Sequence, residues 1–355
     1  MHIIVFIIIL AVLVLIHELG HFIAAKKNGI LVEEFGLGFP PRVWGKKIGE
    51  TLYSINLLPI GGFVKLFGEE YHEDKKVDKK LLERTFYHKK PWQKAIVIVA
   101  GVVNNFLLAW ILISYLFTQG VPTPVNNVVV EQVQPGTPAA SAGLEAGDIL
   151  MSLRSADETF ELTDTQELVT YSKKYGGQTV HFTLERDGKT METALIPRAN
   201  PPEGQGALGV VITSYIEKKY PWYQAPFFGL QHSFEITFRI VTEFGKTIGR
   251  LASGQGAGVE VAGPVGIARY TGDVIKFGNN AVLELVALLS LNLAVINILP
   301  FPALDGGRLV FVIYEWVTKR RVNKRFEQYT NLIGMISLLA LAAVITVNDI
   351  IKLGQ

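Results

Sequence analysis

The chain has 355 residues, 49% of them hydrophobic, and a mean hydropathy of +0.30, too apolar for a soluble globular protein of mixed composition. Lys and Arg number 34 against 32 Asp and Glu, and this net charge of +2 supplies no basic field for nucleic acid, so nucleic-acid partners are set aside and a membrane class is the starting expectation. Cysteine is absent, which removes disulfides, thiolate ligands and thiol nucleophiles together, so any metal here has to rest on His, Asp and Glu.

The first predicted element is a membrane-spanning helix from Ile3 to Ala25, long enough to cross a ~30 Å hydrocarbon layer at ~1.5 Å per residue. Met1 and His2 carry no Lys or Arg, and Lys26 and Lys27 follow the apolar run, so a retained helix is expected rather than a signal peptide. Further spans are predicted from about Lys94 to Phe117, Ala281 to Leu299 and Leu332 to Val347, making four. The loop between the first two is rich in basic residues from Lys26 to Lys90, and the loop after the third adds Arg308, Lys319, Arg320, Arg321, Lys324 and Arg325. By the positive-inside rule both loops are cytoplasmic, and the N-terminus, the 120–280 segment and the C-terminus lie on the other side.

That long segment has β-rich stretches such as Val128 to Val130 and Thr179 to Leu184, with turn residues from Arg186 to Lys189, and predicts a small α+β domain. After Pro201-Pro202, the positions Phe227, Leu230, Phe234, Phe238, Val241, Phe244 and Ile248 recur at helical intervals, predicting an amphipathic helix that either packs within the protein or lies on the membrane surface. His72, His88, His181 and His232 fall in loops or in the external segment and are read as solvated or structural. The charge run from Lys75 to Lys90 is read as a solvated cytoplasmic face with some attraction for anionic headgroups.

The chemistry sits in the first span. His17-Glu18-Leu19-Gly20-His21 is an HExxH pattern, in which histidines four apart on a helix face the same way and can share Zn²⁺ while the carboxylate between them takes a proton from water at the metal. Ionisable groups on an apolar span are costly unless they serve one another, which favours a functional reading over a structural one. A catalytic zinc takes three protein ligands and keeps one position open, so a third ligand is needed, and Asp305 after the third span is the candidate. Measured from the outer side, His17 lies roughly 22 Å and Pro300 roughly 28 Å along their helices, similar depths. The plain alternative for Asp305 is a turn or helix cap beside Gly306-Gly307. Pro300 and Pro302 interrupt the helix where only protein or water can satisfy the freed backbone. Asn292 and Asn297 offer amides for substrate backbone or a scissile carbonyl, the alternative being hydrogen bonds between helices.

With these residues the chain resembles the site-2 protease family (M50) of intramembrane zinc metalloproteases, in the bacterial RseP/RasP type with a PDZ insertion. His17, Glu18 and His21 match the family's HExxH, and Asn297, Pro300, Pro302, Leu304, Asp305 and Gly306 fill its NxxPxPxLDG motif. The resemblance implies a membrane-associated β-hairpin in Phe35 to Phe39 and Leu58 to Leu66, with Gly61, Gly62, Phe63 and Val64 in the stretch that receives an unwound substrate strand. Gly263 to Ile267 resembles a family element before the third span, which a turn alone also explains. Gly136 to Leu150 looks like the start of a single PDZ domain running to about Pro197, where the RseP type carries two; it is read either as a peptide binder or as a size filter. Val102 stands where the family commonly has Pro, implying altered helix geometry.

The expected fold is thus a multi-pass α-helical membrane protein with a membrane-associated β-hairpin and one inserted α+β PDZ-like domain. Residues 1–119 form the first half of the core with the hairpin at 35–67, 120–200 the extracytoplasmic domain, 201–280 a linker and amphipathic helix, and 281–355 the second half. The expected function is intramembrane hydrolysis by one Zn²⁺ per chain, acting on trimmed single-pass type II proteins such as anti-sigma factors or remnant signal peptides, in a bacterial cytoplasmic membrane. The partners are those substrates and the lipid bilayer, and nothing in the sequence sets an oligomeric state. A non-proteolytic zinc-bearing receptor is the alternative, whereas a transporter would leave paired Gly- or Pro-interrupted halves that are not seen here.

Overall fold

The computed structural model describes residues 2–69, 79–155, 158–202, 204–254 and 263–353, so His72, Lys75 and Lys76 lie outside the described residues. The chain forms two compact units, one of Met1–Leu116 with Trp222–Gln355 and one of Phe117–Pro221.

The first unit opens with α1 (His2–Lys27), which is apolar along most of its length apart from His17, Glu18 and His21, and carries Lys26 and Lys27 in its last turn. Two long antiparallel strands follow, β1 (Val32–Ile48) and β2 (Thr51–Leu66). Each bends near its middle and pairs twice. Arg42 to Ile48 meets Thr51 to Asn56, the latter also pairs with Glu34 to Leu37, and Val32 to Leu37 pairs in turn with Gly62 to Leu66. The segments therefore lie in the order 42–48, 51–56, 32–39, 62–66, and among the described residues no strand covers the outer edge of 62–66. Gly61 at the bend of β2 has φ +88°, a left-handed conformation that suits glycine. Phe39, Val43, Trp44, Ile55, Leu57 and Leu58 are exposed on this hairpin, which suits lipid surroundings.

After the short α2 (Lys79–Leu82), α3 (Pro91–Gln119) starts at a proline, whose fixed φ suits a first helical turn, and runs unbroken through Val102. The unit resumes with α6 (Ala225–Ala252), α7 (Pro264–Val274), a 3₁₀ turn at Ile275–Phe277, α8 (Asn279–Ile298), α9 (Asp305–Thr318) and α10 (Lys324–Leu353). Four of these helices, α1, α3, α8 and α10, are long and apolar enough to cross a membrane, as expected. The Gly263 to Ile267 stretch, for which a plain turn is the alternative reading, is the start of α7, with Gly263 before the helix and Pro264 in its first turn. The amphipathic helix forms as α6; Gly229 packs directly on Ser114 of α3, while Phe227, Phe234, Phe238 and Phe244 stay exposed.

The second unit is an antiparallel sheet with two short helices: β3 (Val121–Val133), α4 (Pro138–Ser141), β4 (Ile149–Ser155), β5 (Glu158–Glu161), α5 (Thr165–Lys174), β6 (Val180–Arg186), β7 (Lys189–Leu195) and β8 (Val210–Lys218). The strand order is β7-β6-β4-β3-β8, with β5 beside β4. Asp164 and Glu167 form a reciprocal capping box that starts α5, and Val128, Leu150, Leu153, Phe182 and Leu184 fill the core. The expected boundary at residue 200 falls inside this unit. β8 pairs with β3 from Val121↔Lys218 to Val133↔Val210, so Val210–Lys218 completes the sheet of this unit, which extends to Pro221.

Candidate metal centre

On α1, a turn and a tenth separates His17 from His21, so both imidazoles project from one face, with Glu18 beside them. That face meets α3. Gly20 lies against the Ala100 carbonyl, an approach that only a hydrogen at Cα permits, and such small-residue crossings bring membrane helices together. Gly101 leaves open the space at the imidazole tips: a methyl there would stand 2.5 Å from His21 Nε2 and 2.8 Å from His17 Nε2. α3 also orients the rings. His21 Nδ1 donates to the Val97 carbonyl at 2.8 Å, and the Asn105 amide lies 3.5 Å from His17 Nδ1. Asn104 Nδ2 donates at 3.0 Å to the carbonyl of Ile16, one residue before His17.

Asp305 comes from the other half of the unit, in the first turn of α9, where a carboxylate is favoured by the helix dipole. The preceding Pro300 to Leu304 turn is satisfied within the protein: Phe301 N donates to the Leu299 carbonyl at 2.7 Å, Leu304 N to the Phe301 carbonyl at 3.2 Å, and Ala303 N to Asn331 Oδ1 of α10 at 3.4 Å. Gly306 and Gly307 pack against the carbonyls of Leu299 and Phe301, leaving no room for side chains. One turn further, Arg308 pairs with Glu69 at 2.5 Å, and near the far end of α9 Glu315 pairs with the buried Lys94 of α3 at 2.9 Å. Asp305 is thus carried on a helix anchored at both ends.

The result is convergence of three donor atoms. His17 Nε2 lies 3.0 Å and His21 Nε2 3.1 Å from Asp305 Oδ2, and the two nitrogens lie 3.1 Å apart. A tetrahedral zinc with bonds of ~2.0–2.1 Å sets its ligand atoms ~3.3 Å apart, so these atoms need to spread by only about 0.3 Å to hold the ion. His17 is 6% exposed, and the donor set of two imidazoles and a carboxylate is of the kind catalytic zinc takes. The residues present therefore fit the metal.

The strand edge 62–66 passes beside this centre: a methyl on Gly62 would stand 3.6 Å from Glu18 Cγ. Gly61, Phe63 and Val64 belong to the same stretch of β2. Asn297 lies in the last turn of α8, and its amide makes no hydrogen bond to a described residue. Asn292 donates to Leu288 of its own helix, not to a neighbouring one. Its side chain lines an apolar cavity of about 900 Å³ bounded by α1, α6, α7, α8 and α10, with Leu13, Ile267, Leu299, Leu304 and Leu341 in its wall. Sequence reasoning did not assign Gly101, Val97, Asn104 or Asn105 to the site; their signal was a cluster of small and polar residues inside an otherwise apolar span.

A profile of the family described as Peptidase family M50 matches residues 5–341. The chain is 29% identical to the regulator of sigma-W protease RasP of Bacillus subtilis over an alignment of 426 positions including gaps, covering 99% of this chain and 98% of that protein. It is 30% identical over 430 residues to the zinc metalloprotease RasP of Bacillus licheniformis, covering 99% of each. Among solved structures it is similar to the PDZ domain of an SdrC-like protein from Listeria monocytogenes, with 22% identity and a TM-score of 0.22 over 26% of this chain and 94% of that one. The corresponding domain from Listeria innocua gives 23% identity and a TM-score of 0.21 over 24% and 92%.

Proposed function

The chain belongs to peptidase family M50 as an intramembrane zinc metalloendopeptidase of the site-2 type, and on that premise we propose that His17, His21 and Asp305 hold one zinc ion and that Glu18 is the general base. The observation that carries the assignment is the convergence of His17 Nε2, His21 Nε2 and Asp305 Oδ2 to within 3.1 Å of one another, with Glu18 next to His17 on the same helix and beside Gly62 of β2. The zinc, when bound, lowers the pKa of water and polarises the scissile carbonyl. Glu18 takes the proton of the attacking water and returns it to the leaving amine, a transfer worth about 10²–10⁴ in rate.

The substrate is a transmembrane segment of a single-pass type II membrane protein that has first been trimmed, such as an anti-sigma factor or a remnant signal peptide. A helix hides its peptide bonds, so the scissile stretch has to be extended before attack. Backbone groups along the uncovered edge of Gly61, Gly62, Phe63 and Val64 can pair with that stretch beside Glu18. Asn297 is a further substrate contact, its amide having no hydrogen-bond partner among the described residues. The apolar cavity by Leu13 and Leu304 suits substrate side chains that leave lipid without entering water. The basic loops around Lys26 to Lys90 and Lys319 to Arg325 support a cytoplasmic position for the hairpin side, with both termini and the PDZ-like domain extracytoplasmic.

The test is cleavage of a transmembrane substrate in liposomes by the wild type and Glu18→Gln, with zinc measured on both. Cleavage by the wild type alone, with about one zinc on each protein, is expected. Zinc on both with equal cleavage would remove Glu18 from the mechanism, and zinc retained by His17→Ala or Asp305→Ala would remove those ligands.

A further inference from the structure

Asn105 lies midway along α3, fully buried, with its amide against the side of the His17 ring that faces away from Asp305. Its backbone is fixed, since the Asn105 carbonyl accepts from Ser290 Oγ of α8 at 2.8 Å and the neighbouring Asn104 is bonded to α1 at 3.0 Å. Asn105 Nδ2 lies 3.5 Å from His17 Nδ1, and Oδ1 is buried with no hydrogen-bond partner among the described residues.

The chemistry of the ring determines which end of the amide belongs there. A metal on Nε2 takes that nitrogen's lone pair, so the single proton of a neutral imidazole sits on Nδ1, which then donates. An amide NH₂ opposite a protonated Nδ1 sets donor against donor. A half-turn of the amide about its last bond exchanges oxygen and nitrogen, which have nearly the same shape, and leaves every other atom in place. We propose that Asn105 presents its carbonyl oxygen to His17, accepts the Nδ1 proton, and so holds His17 in the tautomer whose Nε2 is free for zinc. His21 is served in the same way by the Val97 carbonyl at 2.8 Å. One histidine is therefore oriented by backbone and the other by a side chain, and only the second can be altered by substitution without touching the metal. Asn105 is a positioning residue; it touches neither the substrate nor the three donor atoms.

The inference rests on His17 being a zinc ligand, and the experiment separates the two claims. Zinc affinity of the full-length protein in detergent is measured by competition with a chelator for the wild type, His17→Ala, Asn105→Leu and Asn105→Asp. Leu has nearly the shape of Asn and no acceptor, and losing an outer-shell acceptor of this kind weakens metal binding about 10–100-fold. Asp keeps an acceptor oxygen and is expected within about threefold of the wild type or tighter, as in carboxylate–histidine–zinc arrangements. Wild-type affinity in Asn105→Leu, or an equal loss in Asn105→Asp and Asn105→Leu, overturns the role of Asn105. Undiminished binding by His17→Ala overturns the ligand assignment beneath it. A readout independent of variant folding is the ¹⁵N spectrum of histidine-labelled, zinc-loaded wild type, where His17 Nδ1 is expected to carry a bonded proton; an unprotonated Nδ1 overturns the proposal.

Discussion

Gly101→Ala is the sharpest test of the geometry, because it changes one hydrogen to a methyl and contacts no solvent-facing group. That methyl would lie 2.5 Å from His21 Nε2 and 2.8 Å from His17 Nε2. Ordinary contact begins near ~3.5 Å, so at least one ring has to retreat by about 1 Å. Neither ring is free to do so: His21 is bonded to Val97 at 2.8 Å, and His17 is 6% exposed with Asn105 behind it. Zinc sites tolerate ligand errors of about 0.2 Å, so a displacement several times larger removes a ligand. The expected loss of zinc affinity is about 100-fold or more, equivalent to about 2.7 kcal/mol. Chelator competition on the purified full-length protein measures it, with Gly245→Ala on α6 as a control, because among the described residues nothing beyond its own helix backbone lies within 4 Å of a methyl there. Wild-type zinc affinity in Gly101→Ala would refute the reasoning, since the imidazole tips could not then converge beside that glycine.

Two further substitutions probe what holds the elements in place. Asp349 of α10 accepts from Gly266 N at 2.7 Å and Gly263 N at 3.3 Å, and so caps α7 from a distant helix. Asp349→Ala is expected to cost about 1–2 kcal/mol and to speed amide exchange at the start of α7 about tenfold or more; unchanged exchange would show that α7 is held by packing alone. In the inserted unit, the fully buried Asp148 accepts from Arg186 Nε at 2.6 Å and Nη2 at 2.7 Å, and its carboxylate raises the pKa of the guanidinium above the usual value. Arg186→Met strands that buried charge. It is expected to lower the stability of the unit, because Asp148 stays fully buried while the Arg186 side chain that neutralises it is removed. Pulse proteolysis of the full-length protein measures the loss, and Asp148→Asn added to Arg186→Met should recover part of it; no recovery would mean that the ion pair is not the source.

His17, Glu18 and His21 were readable in the sequence because one helix carries them all and its period alone brings them together. Asp305 was readable only indirectly, from the need for a third ligand, the similar depths of the two spans and the motif, since no local rule joins residues 288 positions apart; its position depends on the Gly306-Gly307 turn and on ion pairs from Arg308 and Glu315 that no spacing announces. β8 was missed for a similar reason. Pro201-Pro202 resembles a domain boundary, and the partner that makes Val210 to Lys218 a strand is β3, roughly eighty residues earlier. At Gly263-Pro264 the sequence carries both a turn signal and a helix-start signal, and the Asp349 carboxylate, which favours the helix, lies in another element.

The role of α3 was the least readable part, and it bears most on how the site works. In the sequence it is an apolar span with a few polar interruptions. In the structure it contributes the space at Gly101, the Val97 carbonyl behind one histidine, the Asn105 amide behind the other and the Asn104 bond to Ile16. The donor atoms come from α1 and α9, but the direction in which the α1 imidazoles point is set by the helix between them. A substitution in α3 can therefore alter metal affinity without touching a ligand, and Gly101 and Asn105 are where that separation between supplying a donor and aiming it can be measured.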